Sequence, residues 1–254
     1  WDLKCKRAGE PLWRLAGGAT RQVRCYAGGI DLHMTEAQLL ANIDKYKGEG
    51  HTAFKIKLGK PTVDEDIARV HAVRKQIGDG ATLMVDANMG WSVSTAITAA
   101  KRLAAAGVLW LEEPVIPDDF LGTARVGREG GIAIAGGENL HTIHEFTQGI
   151  MVGKLDFPEP DASNIGGVTG WLKVAALCEA HNLPVCSHGM QELHVSLHAA
   201  VPNSGWMEVH SFPIDRYTTA GTVKVVDGFA EAPETPGVGV EFRWDVLSQY
   251  EHKA

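Results

Sequence analysis

From residue 22 onward the chain alternates short apolar runs with longer stretches in which apolar residues recur every three or four positions. The short runs fall at 22–28, 53–59, 82–88, 108–114, 132–138, 154–161, 184–189 and 206–212. Strand-like runs separated by helix-length segments predict βα units and a parallel sheet. Eight of them predict a closed α/β barrel of (β/α)7β form. Between the runs, Thr35 and Gln38 have the spacing of a capping box, with Leu39, Leu40 and Ile43 following at helical intervals. A second helix is predicted over 64–77, where Ile67, Val70, Val73 and Ile77 share a face and Glu65 and Arg69 form an i,i+4 pair on the solvent side. Residues 1–20 read as helix and lead-in, 21–212 as the barrel, and 213–254 as a hairpin and Pro/Gly-rich excursion packed beside it.

Charges cluster towards the ends of several of these runs: Lys55 and Lys57 in AFKIKLG, Asp86 in LMVDAN, Glu112 in LWLEEP and Glu138 in IAIAGGE. An ionised group buried without a partner costs several kcal/mol, so these positions need compensation. In a parallel barrel the C-terminal strand ends build the active site. Asp86, Glu112 and Glu138 end three successive runs at equal spacing, which gathers three carboxylates at the barrel mouth. Hard oxygen ligands favour Mg²⁺ over Zn²⁺, and such an ion could stabilise an enediolate formed from a carboxylate substrate. Alternatively each acid caps the next helix or pairs with a lysine, a reading that weakens when three fall in register.

Lys55 and Lys57 alternate with Phe54, Ile56 and Leu58, so both project from one face of their strand, the barrel interior. One could act as a base and the other neutralise a substrate carboxylate. His188 follows PVCS, and Asp161 follows PEP on the preceding run; together they offer a second acid/base whose tautomer the Asp fixes. Glu208, in WME, could donate a hydrogen bond when protonated or simply pair with a barrel lysine. His194 and His198 sit at i,i+4 but lack the Glu of a zinc-protease motif, which favours helix packing. NIGGVTG (164–170) lacks a P-loop Lys and reads as a close loop-to-helix turn, and His141 and His144 line a pocket rim or nothing.

With 254 residues, 44% of them hydrophobic, the chain can bury a large core. A net charge of -7 without a basic, aromatic-laced patch argues against nucleic acid as a partner. No apolar run reaches the roughly 18 residues of a membrane span. Four cysteines with no metal spacing point to reduced thiols and a cytoplasmic protein.

KIK, DAN, LEEP, GGEN, PDASNIGG, SHG and WMEVH, in that order, make the chain resemble the mandelate racemase subgroup of the enolase superfamily. The stretches around GGENLHTIHEF and PVCSHGMQELHVSL resemble its acid-sugar cycloisomerases and dehydratases. The resemblance implies a TIM-type barrel in which Asp86, Glu112 and Glu138 bind Mg²⁺ and Lys57 and the His188/Asp161 dyad are the acid/base groups. It further implies that Lys55, Asn88 and Glu208 contact the substrate carboxylate. The reaction implied is loss of the α-proton of a sugar acid, then β-elimination or ring opening to a 2-keto-3-deoxy acid. A racemase or epimerase would use the same enediolate, and a non-catalytic binding barrel or a Schiff-base aldolase are readings of other classes. The opening WDLKCKRAGEPLWRLAGG resembles the last helix of the family's N-terminal capping domain, most of which is expected to be absent from this chain. Relatives often form dimers or octamers. Glu159 departs from the Gln that relatives commonly carry before Pro-Asp, and could shift the dyad's titration or form a salt bridge.

Overall fold

The computed structural model describes residues 1–212 and 214–252; the boundary expected at 213 falls on a residue outside that set. Two short helices, α1 (Asp2–Ala8) and α2 (Leu12–Leu15), come first. The opening segment is split because Gly9 takes a left-handed conformation (φ 71°) and Pro11 follows it. The barrel then runs β1 (Gln22–Gly28), α3 (Glu36–Gly48), β2 (Ala53–Lys57), α4 (Val63–Ile77), β3 (Thr82–Asp86), α5 (Val93–Ala105), β4 (Trp110–Glu112) and α6 (Phe120–Gly130). It continues through β5 (Ala133–Gly136), α7 (Ile143–Met151), β6 (Phe157–Pro158), α8 (Gly167–Ala180), β7 (Val185–Ser187), α9 (Gln191–Ala200) and β8 (Ser204–His210).

All eight of these strands are parallel to their neighbours, in the order β6-β5-β4-β3-β2-β1-β8-β7. This is a nearly closed TIM-type barrel. Among the described residues no ladder joins β6 to β7. Pro158 in β6 and Pro160 just after it bring no N–H, which leaves this edge poor in donors for a further ladder.

The expected helices form for the expected reasons. Thr35 and Gln38 make a full capping box at the start of α3. On α4, Ile67, Val70 and Val73 are buried against the sheet. Each such side chain contributes about 1.5–3 kcal/mol by burial, against a few tenths for a surface ion pair, so the apolar face holds the helix. The expected Glu65–Arg69 pair is not what forms. Arg69 is buried and its guanidinium turns inward to Asp31, 2.9 Å away.

Strands end earlier than the apolar runs predict, leaving Asn88, Glu138, Asp161 and His188 in the loops just beyond β3, β5, β6 and β7. After β8 the chain forms β9 (Thr218–Ala220), β10 (Phe229–Glu231) and β11 (Glu241–Phe242). β10 pairs antiparallel with the first residues of β1, and β9 pairs with β11 as a separate two-stranded sheet.

Candidate active site

The three carboxylates converge at the barrel mouth. Asp86 and Glu112 end adjacent strands β3 and β4 and are fully buried, and Glu138 follows β5. One oxygen from each lies within 4.8 Å of the others, so the triad could hold a metal ion. Three hard oxygens are the donor set that suits Mg²⁺. Glu138 Oε2 is buried without a hydrogen-bond partner, an unmet acceptor that a cation would satisfy. Burial raises the proton affinity of Glu112 and of Glu138, with neighbouring acids adding to it.

Both lysines point into this cluster. The Lys55 ammonium lies 2.6 and 2.7 Å from the two oxygens of Glu112 and 3.1 Å from Glu208 Oε1, over the ring of Tyr26. Lys57 Nζ lies 2.5 Å from Asp86 Oδ2. Burial is the largest influence and would lower the Lys57 pKa, but the charges of Asp86 and Glu112 and the hydrogen bond to Asp86 together hold the group above its ordinary value. In this arrangement Lys57 is therefore an ammonium, not the neutral amine expected of a resting base. Glu208 likewise differs from the protonated donor considered above. Its burial favours the acid form, yet Lys55 and His188 prevail and keep it ionised. Its second oxygen accepts from the Gly189 N–H at 2.9 Å. Gly28, on β1, is required beside it, because a Cβ there would collide with Glu208 Oε1.

Beside Glu138 lies the expected His–Asp pair. His188 Nδ1 is 2.8 Å from Asp161 Oδ2, and its Nε2 reaches to 3.5 Å from Glu138 Oε2. Asp161 Oδ1 accepts from both the N–H and the hydroxyl of Ser163. Burial disfavours the imidazolium, but Asp161, Glu208 and Glu138 together raise the His188 pKa to about 9. Asn88 stands exposed at the rim with a left-handed backbone (φ 40°), its N–H donating to Asp86 Oδ1. The nine residues expected at the site thus form one connected group.

Several neighbours were not anticipated. Asp31, just past β1, accepts from the Lys57 backbone N–H at 3.0 Å and from Arg69, fixing the end of β2. Its place, an acid after an apolar strand, matches the pattern that flagged the others. Glu113, beside Glu112, is gripped by Asn139, and burial followed by Glu138 raises its pKa to about 7. His210, two residues beyond Glu208, stacks on Phe212 and lies edge-on to His188. Glu159, which the sequence had singled out, makes no salt bridge among the described residues: it is buried with neither carboxylate oxygen hydrogen-bonded, and burial followed by the charge of Glu112 favours its protonated form strongly.

A parallel barrel whose mouth holds three metal-ready carboxylates between a lysine and a His–Asp pair defines a metal-assisted acid–base site. The chain belongs to the enolase C-terminal domain-like family, whose model matches residues 38–246. It is similar to 3,6-anhydro-alpha-L-galactonate cycloisomerase of Streptomyces coelicolor, with 48% identity over 98% of this chain and 69% of the relative. It is also similar to L-talarate/galactarate dehydratase of Salmonella typhimurium, 38% identical over 82% of this chain and 52% of the relative. Among solved structures, a racemase from Streptomyces coelicolor A3(2) with bound magnesium superposes with TM-score 0.95 at 47% identity, covering 98% of this chain and 69% of that one. L-talarate dehydratase from Polaromonas sp. JS666, complexed with Mg and L-glucarate, gives TM-score 0.92 at 36% identity over 98% of this chain and 66% of that one.

Proposed function

We propose that this barrel removes the proton α to a sugar-acid carboxylate and completes β-elimination or ring opening to a 2-keto-3-deoxy acid. The observation that carries this reading is the placement of Lys57 and the His188–Asp161 pair around one carboxylate triad. Asp86, Glu112 and Glu138 would hold Mg²⁺. Bound there, the ion would supply positive charge against a developing oxyanion and would take up the carboxylate charge that holds Lys57 protonated. Lys57, once its ammonium has released its own proton to solvent, abstracts the α-proton through Nζ. His188, an imidazolium at neutral pH, delivers a proton from Nε2 to the departing β-oxygen, while Asp161 keeps Nδ1 oriented. Asn88 from the rim and Lys55 from the buried floor receive the substrate carboxylate, and Glu208 contacts it only on taking up a proton, since two facing carboxylates repel.

A racemase or epimerase is the second reading, favoured by the magnesium-bound racemase that superposes on the chain. Proton NMR in D₂O, with Mg²⁺ and a panel of aldonic, aldaric and anhydro-sugar acids, separates the two. Elimination or ring opening removes the α-proton and creates a deoxy methylene, and product mass shows whether water left. Exchange of the α-proton without a methylene selects the racemase. No exchange with any acid, together with no Mg²⁺ binding, rejects both in favour of a binding barrel.

Among the described residues no helix is long and apolar enough to cross a membrane. The four free, buried cysteines support a cytoplasmic setting, and a role in carbohydrate catabolism follows from the substrate class. A homo-oligomer, dimer or octamer, is carried over from the family resemblance and is read by light scattering.

A further inference from the structure

His194 is fully buried on α9 and lies outside the ring of groups described so far. Both of its ring nitrogens are engaged with backbone. Nδ1 lies 2.6 Å from the carbonyl oxygen of Gly189, to which it can only donate, and Nε2 accepts the N–H of Ala162 at 3.1 Å. The two bonds define one neutral tautomer. Gly189 is the residue after His188, and Ala162 the residue after Asp161. The first belongs to the loop after β7 and the second to the loop after β6, the two strands that no ladder joins.

We infer that His194 is a positioning residue that bridges the open β6–β7 seam and sets the separation of His188 and Asp161. Its neighbours complete the brace. Trp171 packs beside His194 and donates its indole N–H to Pro160 O, so Pro160 and Ala162 are held on either side of Asp161. The Gly189 N–H is taken by Glu208, so that residue is held by its N–H and its carbonyl at once. Where a ladder would have fixed the two strand ends, one imidazole does. The catalytic consequence rests on the acid–base role proposed for His188 and Asp161.

His194→Phe keeps a ring and removes both hydrogen bonds. In the folded variant, the Ala162 amide should exchange at least about tenfold faster by NMR, and the His188 Nδ1 proton held by Asp161 should broaden or vanish. With an acid-sugar substrate, kcat should fall about 10- to 100-fold with KM within about threefold, because small misplacements of a catalytic group act on the chemical step. A folded variant with unchanged Ala162 exchange and an unchanged His188 proton overturns the inference. Should the variant not fold, the ring of His194 in the unaltered protein decides: ¹⁵N spectra must show the Nδ1-protonated tautomer, and the Nε2-protonated one overturns it. If the seam signals respond as expected but no acid sugar is turned over, the functional reading fails and the bridge stands.

Discussion

Two carboxylates at this site, Glu138 and Glu159, meet burial differently, and the difference is measurable. Glu138 Oε2 is buried without a hydrogen bond, so Glu138→Gln should weaken Mg²⁺ binding by at least about tenfold in calorimetry, since losing even an outer partner of a metal ligand costs about 10- to 100-fold. Unchanged affinity would remove Glu138 from the ligand set. Glu159 has no partner at all, and its folded-state pKa lies well above that of an exposed carboxyl. The folded protein therefore keeps a proton that the unfolded chain releases above about pH 4.3. The stability this gives is complete below that pH and is lost as pH rises towards the folded value. Glu159→Gln should accordingly gain stability relative to the parent as pH goes from 5 to 8, read as the difference in urea midpoints of the metal-free proteins. A difference independent of pH would mean that Glu159 is ionised in the fold.

At the level of elements, the Asp31–Arg69 pair ties the loop after β1 to α4 and to the end of β2. Arg69→Met leaves Asp31 buried without its cation and should cost about 3–5 kcal/mol in urea denaturation. Adding Asp31→Asn should recover part of that loss. Helices and strands were legible because burial imposes a period, and eight of the nine candidate site residues because titratable groups at the ends of apolar strands stand out, whereas Asn88 was suggested only by the family resemblance. The partner of Arg69 was not legible: i,i+4 spacing offered Glu65, whereas Asp31 lies far away in sequence and only the fold brings it near. The same holds for His194. Its spacing to His198 pointed to packing, and nothing local shows that its nitrogens reach two separate loops. Charge states escaped for a related reason, since Lys57 and Glu208 titrate according to neighbours on other strands.

For the whole molecule, buried neutral histidines make the fold sensitive to acid. Burial lowers the pKa of His51 to about 4 and that of His198 to about 3. Unfolded, each binds a proton near pH 6.5, so between that pH and the lowered value the unfolded chain holds more protons and stability falls as pH falls. The slope is at most about 1.4 kcal/mol per pH unit for each group. Replacing His198 with Gln should flatten the pH dependence of stability between 6.5 and 5 by about one such slope. An unaltered slope would show that His198 is protonated in the fold.

A hoop with one unwelded joint springs open at that joint. Here the joint between β6 and β7 lies under Asp161 and His188, so warming that loosens it lengthens the 2.8 Å acid–base contact while the other strands stay registered. Heat should then silence the protein at temperatures where its circular dichroism is still native, and cooling from that point should restore turnover without refolding.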